Sequence, residues 1–147
     1  MFPKNGTAAT TKHAQKTILI ADADSMYRRL YKEVLGKRFP SYTFYAVENG
    51  LQALQFVSTN RTSLIITCLM MHKMNGFEMI EYLVEREMHI PVLIMAQQVK
   101  QPCLKGYWRD KLDWIKENMD PDELGMIGKV TTIVELSVEI IRLCGKK

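Results

Sequence analysis

Residues 64–80 read LIITCLMMHKMNGFEMI: an apolar run of strand length that halts at Cys68, a methionine-rich stretch, Asn75-Gly76, and then residues of helical period. Asn75-Gly76 suits a tight turn, because both residues tolerate backbone conformations that others avoid. The segment therefore reads as strand, loop and helix, with a lone cysteine at the tip of the strand.

Working outward, the same alternation recurs. TILIA (17–21) precedes SMYRRLYKEVLGKRF, YTFYAV (42–47) precedes GLQALQFVS, the quoted strand precedes GFEMIEYLVERE, and PVLIMA (91–96) forms a fourth apolar run. Strands alternating with helical stretches predict βαβ units and a parallel sheet. Asp24-Ser25 can cap the first helix, whose apolar Met26, Leu30, Val34 and Leu35 recur near helical spacing, and Gly36 is expected to end it. Residues 97–112 contain Pro102 and Gly106 and leave room for only a short or broken fourth helix. The fifth strand is expected at LDWIK (112–116). The last helix is expected to open at Asp120-Pro121-Asp122-Glu123 and to line Leu124, Ile127, Val134 and Ile141 along one stripe. In an open parallel sheet ligands bind beyond the carboxyl ends of the strands, which directs attention to Ala21 to Asp24, Cys68, Ala96-Gln97 and Lys116-Glu117.

The totals agree with one domain. The chain has 147 residues, 47% of them apolar, which is the scale of a single core. Residues 1–16 are polar and without period and are expected to form a disordered tail, with the domain spanning 17–147. No apolar run approaches the roughly 18 residues that cross a bilayer, and the N-terminus lacks a signal-peptide core, so a cytoplasmic protein is expected. The three cysteines, Cys68, Cys103 and Cys144, form no framework pattern and read as free thiols. The net charge of +4 is carried partly by Lys4, Lys12, Lys16, Lys146 and Lys147, and the folded body is near neutral. Arg28, Arg29, Lys32, Lys37 and Arg38 fall on one predicted helix. Spread along a surface helix, they read as a solvated face rather than a nucleic-acid site.

Taken in order, ILIADADSMYRRL, ENGLQAL, LIITCLMMHKMNGFEMI, PVLIMA and DPDEL resemble the receiver domain of response regulators, over about Thr17 to Leu143. The resemblance implies a five-stranded parallel sheet of order 2-1-3-4-5, a doubly wound, flavodoxin-like α/β fold, in a bacterial two-component phosphorelay. It also implies a phosphoryl-transfer device: an aspartate nucleophile ending the third strand, an acidic pair ending the first that holds Mg²⁺, a hydroxyl ending the fourth and a lysine ending the fifth. The chemistry explains these choices, since Mg²⁺ shields the repulsion between carboxylate and phosphoryl group while hydroxyl and ammonium hold its oxygens.

Set on these motifs, the sequence departs at nearly every position. Cys68 stands where the nucleophile would be, Asp22 is followed by Ala23 in the acidic pair, Ala96 replaces the hydroxyl, and counting back from DPDEL places Glu117 at the lysine with Lys116 beside it. Asp24 lies where it could turn back towards Asp22, but it also suits the cap. Trp114 takes the place of the aromatic residue that the family carries on its fifth strand. Two carboxylates short, the pocket has too few hard oxygen ligands for Mg²⁺, so no metal and no other cofactor is expected. The expected function is that of an atypical, non-enzymatic pseudo-receiver, a signalling module that binds another signalling protein without being phosphorylated.

Two other readings stand beside it. In one, Cys68 is a redox or unorthodox phosphoacceptor switch, against which a small apolar residue filling the lost metal site is the simpler account, because Asp22 disfavours a thiolate. Cys68, His72 and Asp22 could suggest a soft-metal site but fall short of four ligands. In the other, the basic helix and tail bind nucleic acid. Met70, Met71, Met74, Met79, Met88 and Met95 serve mainly as adaptable core filling. Tyr107, Trp108 and Trp114 are candidate interface anchors, with core packing as the competing role, and a homodimer through the face of helix 4, strand 5 and helix 5 is one form the contact could take.

Overall fold

Three of the apolar runs become the centre of a sheet. β1 (Lys16–Ala21), β3 (Leu64–Thr67) and β4 (Val92–Ala96) are buried on both faces over nearly their whole length, as strands of a parallel sheet covered by helices must be. β2 (Tyr42–Val47) and β5 (Leu124–Gly128) flank them, and all neighbours are parallel in the order β2-β1-β3-β4-β5. A computed structural model describes residues 16–96, 106–128 and 132–145 in this way.

Alternation along each strand divides the core in two. Ile18, Ile20, Leu64, Ile66, Leu93 and Met95 face α1 (Ser25–Arg38) and α5 (Ile133–Cys144), which contribute Tyr31, Leu35, Leu136, Ile140 and Leu143. Leu19, Ala21, Ile65, Val92, Ile94 and Ala96 face α2 (Gly50–Thr59), α3 (Gly76–Glu85) and α4 (Tyr107–Asn118), with Phe77, Ile80, Leu83 and Ile115 among their partners. The expected fold class and strand order are the observed ones.

Several helix starts follow side-chain chemistry visible in the sequence. Asp24 caps α1 by accepting from the Met26 amide at 2.8 Å. Asn75 and Glu78 form a reciprocal capping box on α3, and Thr132 and Glu135 form another on α5. The end of α1 is not at Gly36, as expected, but two residues later at Arg38, because buried Leu35 anchors the last turn and outweighs the roughly 1 kcal/mol cost of an interior glycine. Of the apolar residues expected along α1, Leu35 is buried and Val34 half-buried, but Met26 and Leu30 are not, and Tyr31 is buried instead. Tyr31 and Leu35 are buried, whereas Met26 and Leu30 are 57% and 45% exposed.

The second half of the chain departs furthest from expectation. LDWIK (112–116) is not a strand but the middle of α4, where Trp108, Leu112, Ile115 and Met119, spaced at i, i+4, i+7 and i+11, form the stripe packed on the core. Asp120-Pro121-Asp122-Glu123 does not open the last helix. Asp120 caps a single 3-10 turn, Pro121–Glu123, and the chain then enters β5, where Leu124 to Gly128 pair with Val92 to Ala96. Proline fits that first turn, and the glycines at 125 and 128 favour an extended run over a helix. The expected tail, residues 1–16, lies outside the described residues save for Lys16, which opens β1. Most of the irregular segment 97–112, Gln97 and Cys103 included, is also outside them, but residues 107–112 at its end form the start of α4.

Candidate functional site

Strand register brings two of the singled-out residues together. Ile20 pairs with Ile66, so Asp22 and Cys68, each two residues further, lie side by side beyond the strand tips and point to the α1 and α5 side of the sheet. The backbone continues this pairing, since the Cys68 amide donates to the Ala21 carbonyl at 3.1 Å. Both are almost covered, Asp22 being 3% and Cys68 7% exposed. Asp22 accepts from the Asp24 amide through Oδ1 at 2.9 Å, its own amide donates to the Val47 carbonyl, and Arg28 Nη1 donates to its carbonyl oxygen at 2.7 Å. The Cys68 thiol donates to the Met70 carbonyl at 3.6 Å.

The loop after Cys68 is held by close backbone approach. The Gly76 amide donates to Leu69 O at 2.8 Å, and a Cβ at Gly76 would stand 2.5 Å from the Cys68 carbonyl oxygen. Gly50 is packed similarly under Met74, to whose carbonyl its amide donates. Lys73 adopts φ 65°, a left-handed conformation unusual for a residue with a side chain. Thus the loop is folded tightly against β3, its shape set by backbone contacts. Met70 at its start is exposed, whereas Met71 and Met74 pack partly against the core.

Beneath the strand tips lies a group that the sequence did not single out. The Tyr31 hydroxyl is buried and makes no hydrogen bond. Burial first, and then the fields of Asp22, Tyr27 and Cys68, push its pKa far above that of a free phenol. Only the turn of α1 that selects Tyr31 rather than Leu30 for the core brings it there.

The remaining expected site residues are dispersed or differ in setting. Ala23 is exposed and offers no ligand, and Ala96 ends β4 on the α3 and α4 side of the sheet, with a methyl group in place of a hydroxyl. Glu117 and Lys116 do not end a strand. Both sit exposed in the last turn of α4, which leads back to the start of β5 and so to the edge of the sheet opposite Cys68. With β5 placed at Leu124–Gly128, the next residue in the chain is Lys129, which lies outside the described residues. The short run LGMIG followed by that lysine was the signal available in the sequence.

Trp114 likewise belongs to α4, where it packs partly on the core, and β5 carries no aromatic residue. Trp108 stacks against Phe77 at 5.3 Å between ring centroids, while Tyr107 is 54% exposed. Lys111 of α4 bridges to Glu81 of α3 and lies over the Tyr107 ring. The hydrogen bond from Lys111 to Glu81 raises the lysine's pKa. Of the three candidate anchors, two therefore contribute to seating α4.

A Mg²⁺ ion does not suit this donor set. Asp22 supplies the one carboxylate that the register places beside Cys68, Asp24 is occupied in capping, and Ala23, Cys68 and Ala96 offer no hard oxygen side chain. Among the described residues no three His, Cys, Asp or Glu side chains cluster as metal ligands would. No helix among them is long and apolar enough to cross a membrane.

The fold matches that of known proteins. Residues 18–124 match the model of the response regulator receiver domain. The receiver domain of a signal transduction histidine kinase from Syntrophus aciditrophicus superposes with a TM-score of 0.71 at 25% identity, covering 89% of this chain and 91% of that one. A CheY-like receiver domain protein from Methanospirillum hungatei JF-1 superposes with the same TM-score at 16% identity, over 90% of this chain and 96% of that one. In sequence, the DNA-binding transcriptional regulator NtrC of Rhizobium meliloti (strain 1021) is 25% identical over 115 residues, 77% of this chain and 23% of the relative. The probable transcriptional regulator ycf29 of Pyropia yezoensis is 26% identical over 110 residues, 73% of this chain and 49% of the relative. The chain thus spans a quarter to a half of the length of those two regulators, and it belongs to the response regulator receiver domain family of signal transduction.

Proposed function

We propose that this receiver is a pseudo-receiver, one that signals by protein contact and not by accepting a phosphoryl group. The observation that carries the reading is the register at the strand tips, which aligns Asp22 with Cys68 rather than with a second carboxylate. An aspartate there would attack phosphorus, and a thiol beside the Asp22 carboxylate has neither the metal nor the acyl-phosphate chemistry. The conformational relay is equally curtailed, because Ala96 has no hydroxyl to follow the phosphoryl group and β5 has no aromatic residue to follow the hydroxyl. A lysine in the family's position, Lys129, supplies one charge of the original set and cannot replace the nucleophile.

Without a phosphorylation-dependent pair of states, the module acts through a surface held in one arrangement, with another signalling protein as its partner. Self-association through α4, β5 and α5 is one form of that contact, and Tyr107 together with Val134, Val138 and Ile141, each more than half exposed, supports it.

The test is intact mass after incubation with acetyl phosphate and Mg²⁺. An unchanged mass is the expected result. A gain of one phosphoryl group, mapped to any residue, overturns the pseudo-receiver reading.

A further inference from the structure

β2 stands outermost in the sheet, and its six residues, YTFYAV, pair with β1 along their whole length. They include no charge, proline or bulge, the devices that usually close an edge to other strands. The Val47 carbonyl accepts from the Asp22 amide, so Thr43, Tyr45 and Val47 direct their backbone groups inward to β1. Alternation turns the amides and carbonyls of Phe44 and Ala46 outward, where the described residues offer them no partner. The outward amides on either side are already engaged: Tyr42 donates to the Phe39 carbonyl at 3.0 Å, and Glu48 donates to Gln52 Oε1 at 2.8 Å. The open backbone is thus confined to the middle of the strand, where a short extended segment could pair with it.

The two sides of this edge differ in chemistry. On the α1 side, Ala46 borders a shallow groove with Ser25, Arg28, Arg29, Lys32 and Glu33. Arg29 and Lys32 make no ion pair or hydrogen bond among the described residues, Arg28 is held by the Asp22 carbonyl, and Glu33 lies 3.9 Å from Lys37. On the α2 side, Tyr45 is 45% exposed and its ring lies 5.2 Å from that of Phe56. We propose that β2 accepts an extended acidic segment of a partner protein as a sixth strand. The segment's backbone would pair with Phe44 and Ala46, and its alternate side chains would divide between the two sides, carboxylates over Arg29 and Lys32 and apolar groups over Tyr45. The cations decide the charge of that segment. They also disfavour a second copy of this chain, since two β2 strands paired antiparallel about a two-fold axis would set one α1 groove beside the other, cations against cations. The proposal rests on the contact-module reading above and names the edge and the partner chemistry that such a module would use.

The test follows the isotope-labelled full chain by NMR as it is titrated with a peptide of about seven residues that alternates glutamate and valine. The Phe44 and Ala46 amide signals should shift and their hydrogen exchange should slow about tenfold or more, while the amides of Thr43 and Tyr45, already bonded to β1, keep their exchange rates. The Arg29→Glu/Lys32→Glu variant should bind the peptide about tenfold more weakly or worse, its signals elsewhere in place to show an intact fold. A peptide with lysine for glutamate should leave the edge unchanged, as should the acidic peptide N-methylated on the amides that would face β2. No response at Phe44 and Ala46, or an equal response to either control peptide, overturns the proposal and leaves the pseudo-receiver reading, which the phosphorylation test decides, standing. Protection of the same two amides that grows with protein concentration in the absence of peptide overturns the stated occupant in favour of a second copy.

Discussion

Cys68, Gly76 and Tyr31 show how single side chains shape this site. Cys68 was legible as the last residue of an apolar run, and its pairing with Asp22 follows from parallel register. Placing carboxylates at positions 23 and 68 tests whether oxygen ligands there decide metal binding. The parent should show no saturable heat with Mg²⁺ in calorimetry, whereas Ala23→Asp/Cys68→Asp should acquire it in the millimolar range, about that of weak three-carboxylate sites. Gly76 was read as a permissive turn residue, but its φ is not the constraint. The space is, since a Cβ would press on the Cys68 carbonyl, and Gly76→Ala should destabilise by about 1–3 kcal/mol in urea unfolding. For Tyr31 the expectation has the opposite sign. Its hydroxyl is buried without a partner, so Tyr31→Phe should be neutral or stabilising by about 1 kcal/mol. The same substitution tests a pH dependence. With the folded-state pKa raised, the unfolded chain releases the phenolic proton first, so stability falls as pH climbs above about 10, and Phe at position 31 should flatten that alkaline loss.

At the scale of elements, caps and periodicity decided more than propensity did. The capping boxes of α3 and α5 set where each helix begins, and Thr132→Ala should cost about 1 kcal/mol in thermal or urea unfolding while leaving the strand order unchanged. A larger loss would mean that Thr132 supports β5 as well. The misplacement of β5 has a clear physical origin. DPDE is an N-terminal signal for both an α-helix and a single 3-10 turn, and only the four or five residues that follow distinguish them. Leu124-Gly125-Met126-Ile127-Gly128 is short enough to extend beside β4, and the stripe Trp108, Leu112, Ile115, Met119 belongs to a helix. Reading Leu112 to Lys116 as a strand used five residues of an apolar pattern whose period appears only over twelve.

For the molecule as a whole, the sheet segregates charge as well as core. α1 brings a net excess of four positive charges to one side, while α3 presents Glu78, Glu81 and Glu85 on the other, with Glu81 held by Lys111. Any self-association that brings α1 against α3 should therefore weaken steeply with salt, whereas one through the apolar residues of α5 should persist at high ionic strength. Sedimentation velocity at low and high salt separates the two: a dimer that survives 1 M salt and dissociates in Val138→Asp belongs to the α5 face, and one that dissociates with salt alone does not.

The sequence by itself determined the alternation of strands and helices and the absence of carboxylates at positions 23 and 68, because apolar runs and residue identity are local properties, whereas the strand order came only from the family that its motifs resemble. Tertiary structure alone decided where β5 lies, and hence that Lys129 and not Glu117 follows it. It also decided which apolar residues of α1 are buried. Both depend on which face of an element meets the sheet, and that choice is made by pairing with β4 and by packing under Ile18, Ile20 and Ile66, interactions between residues distant in the chain.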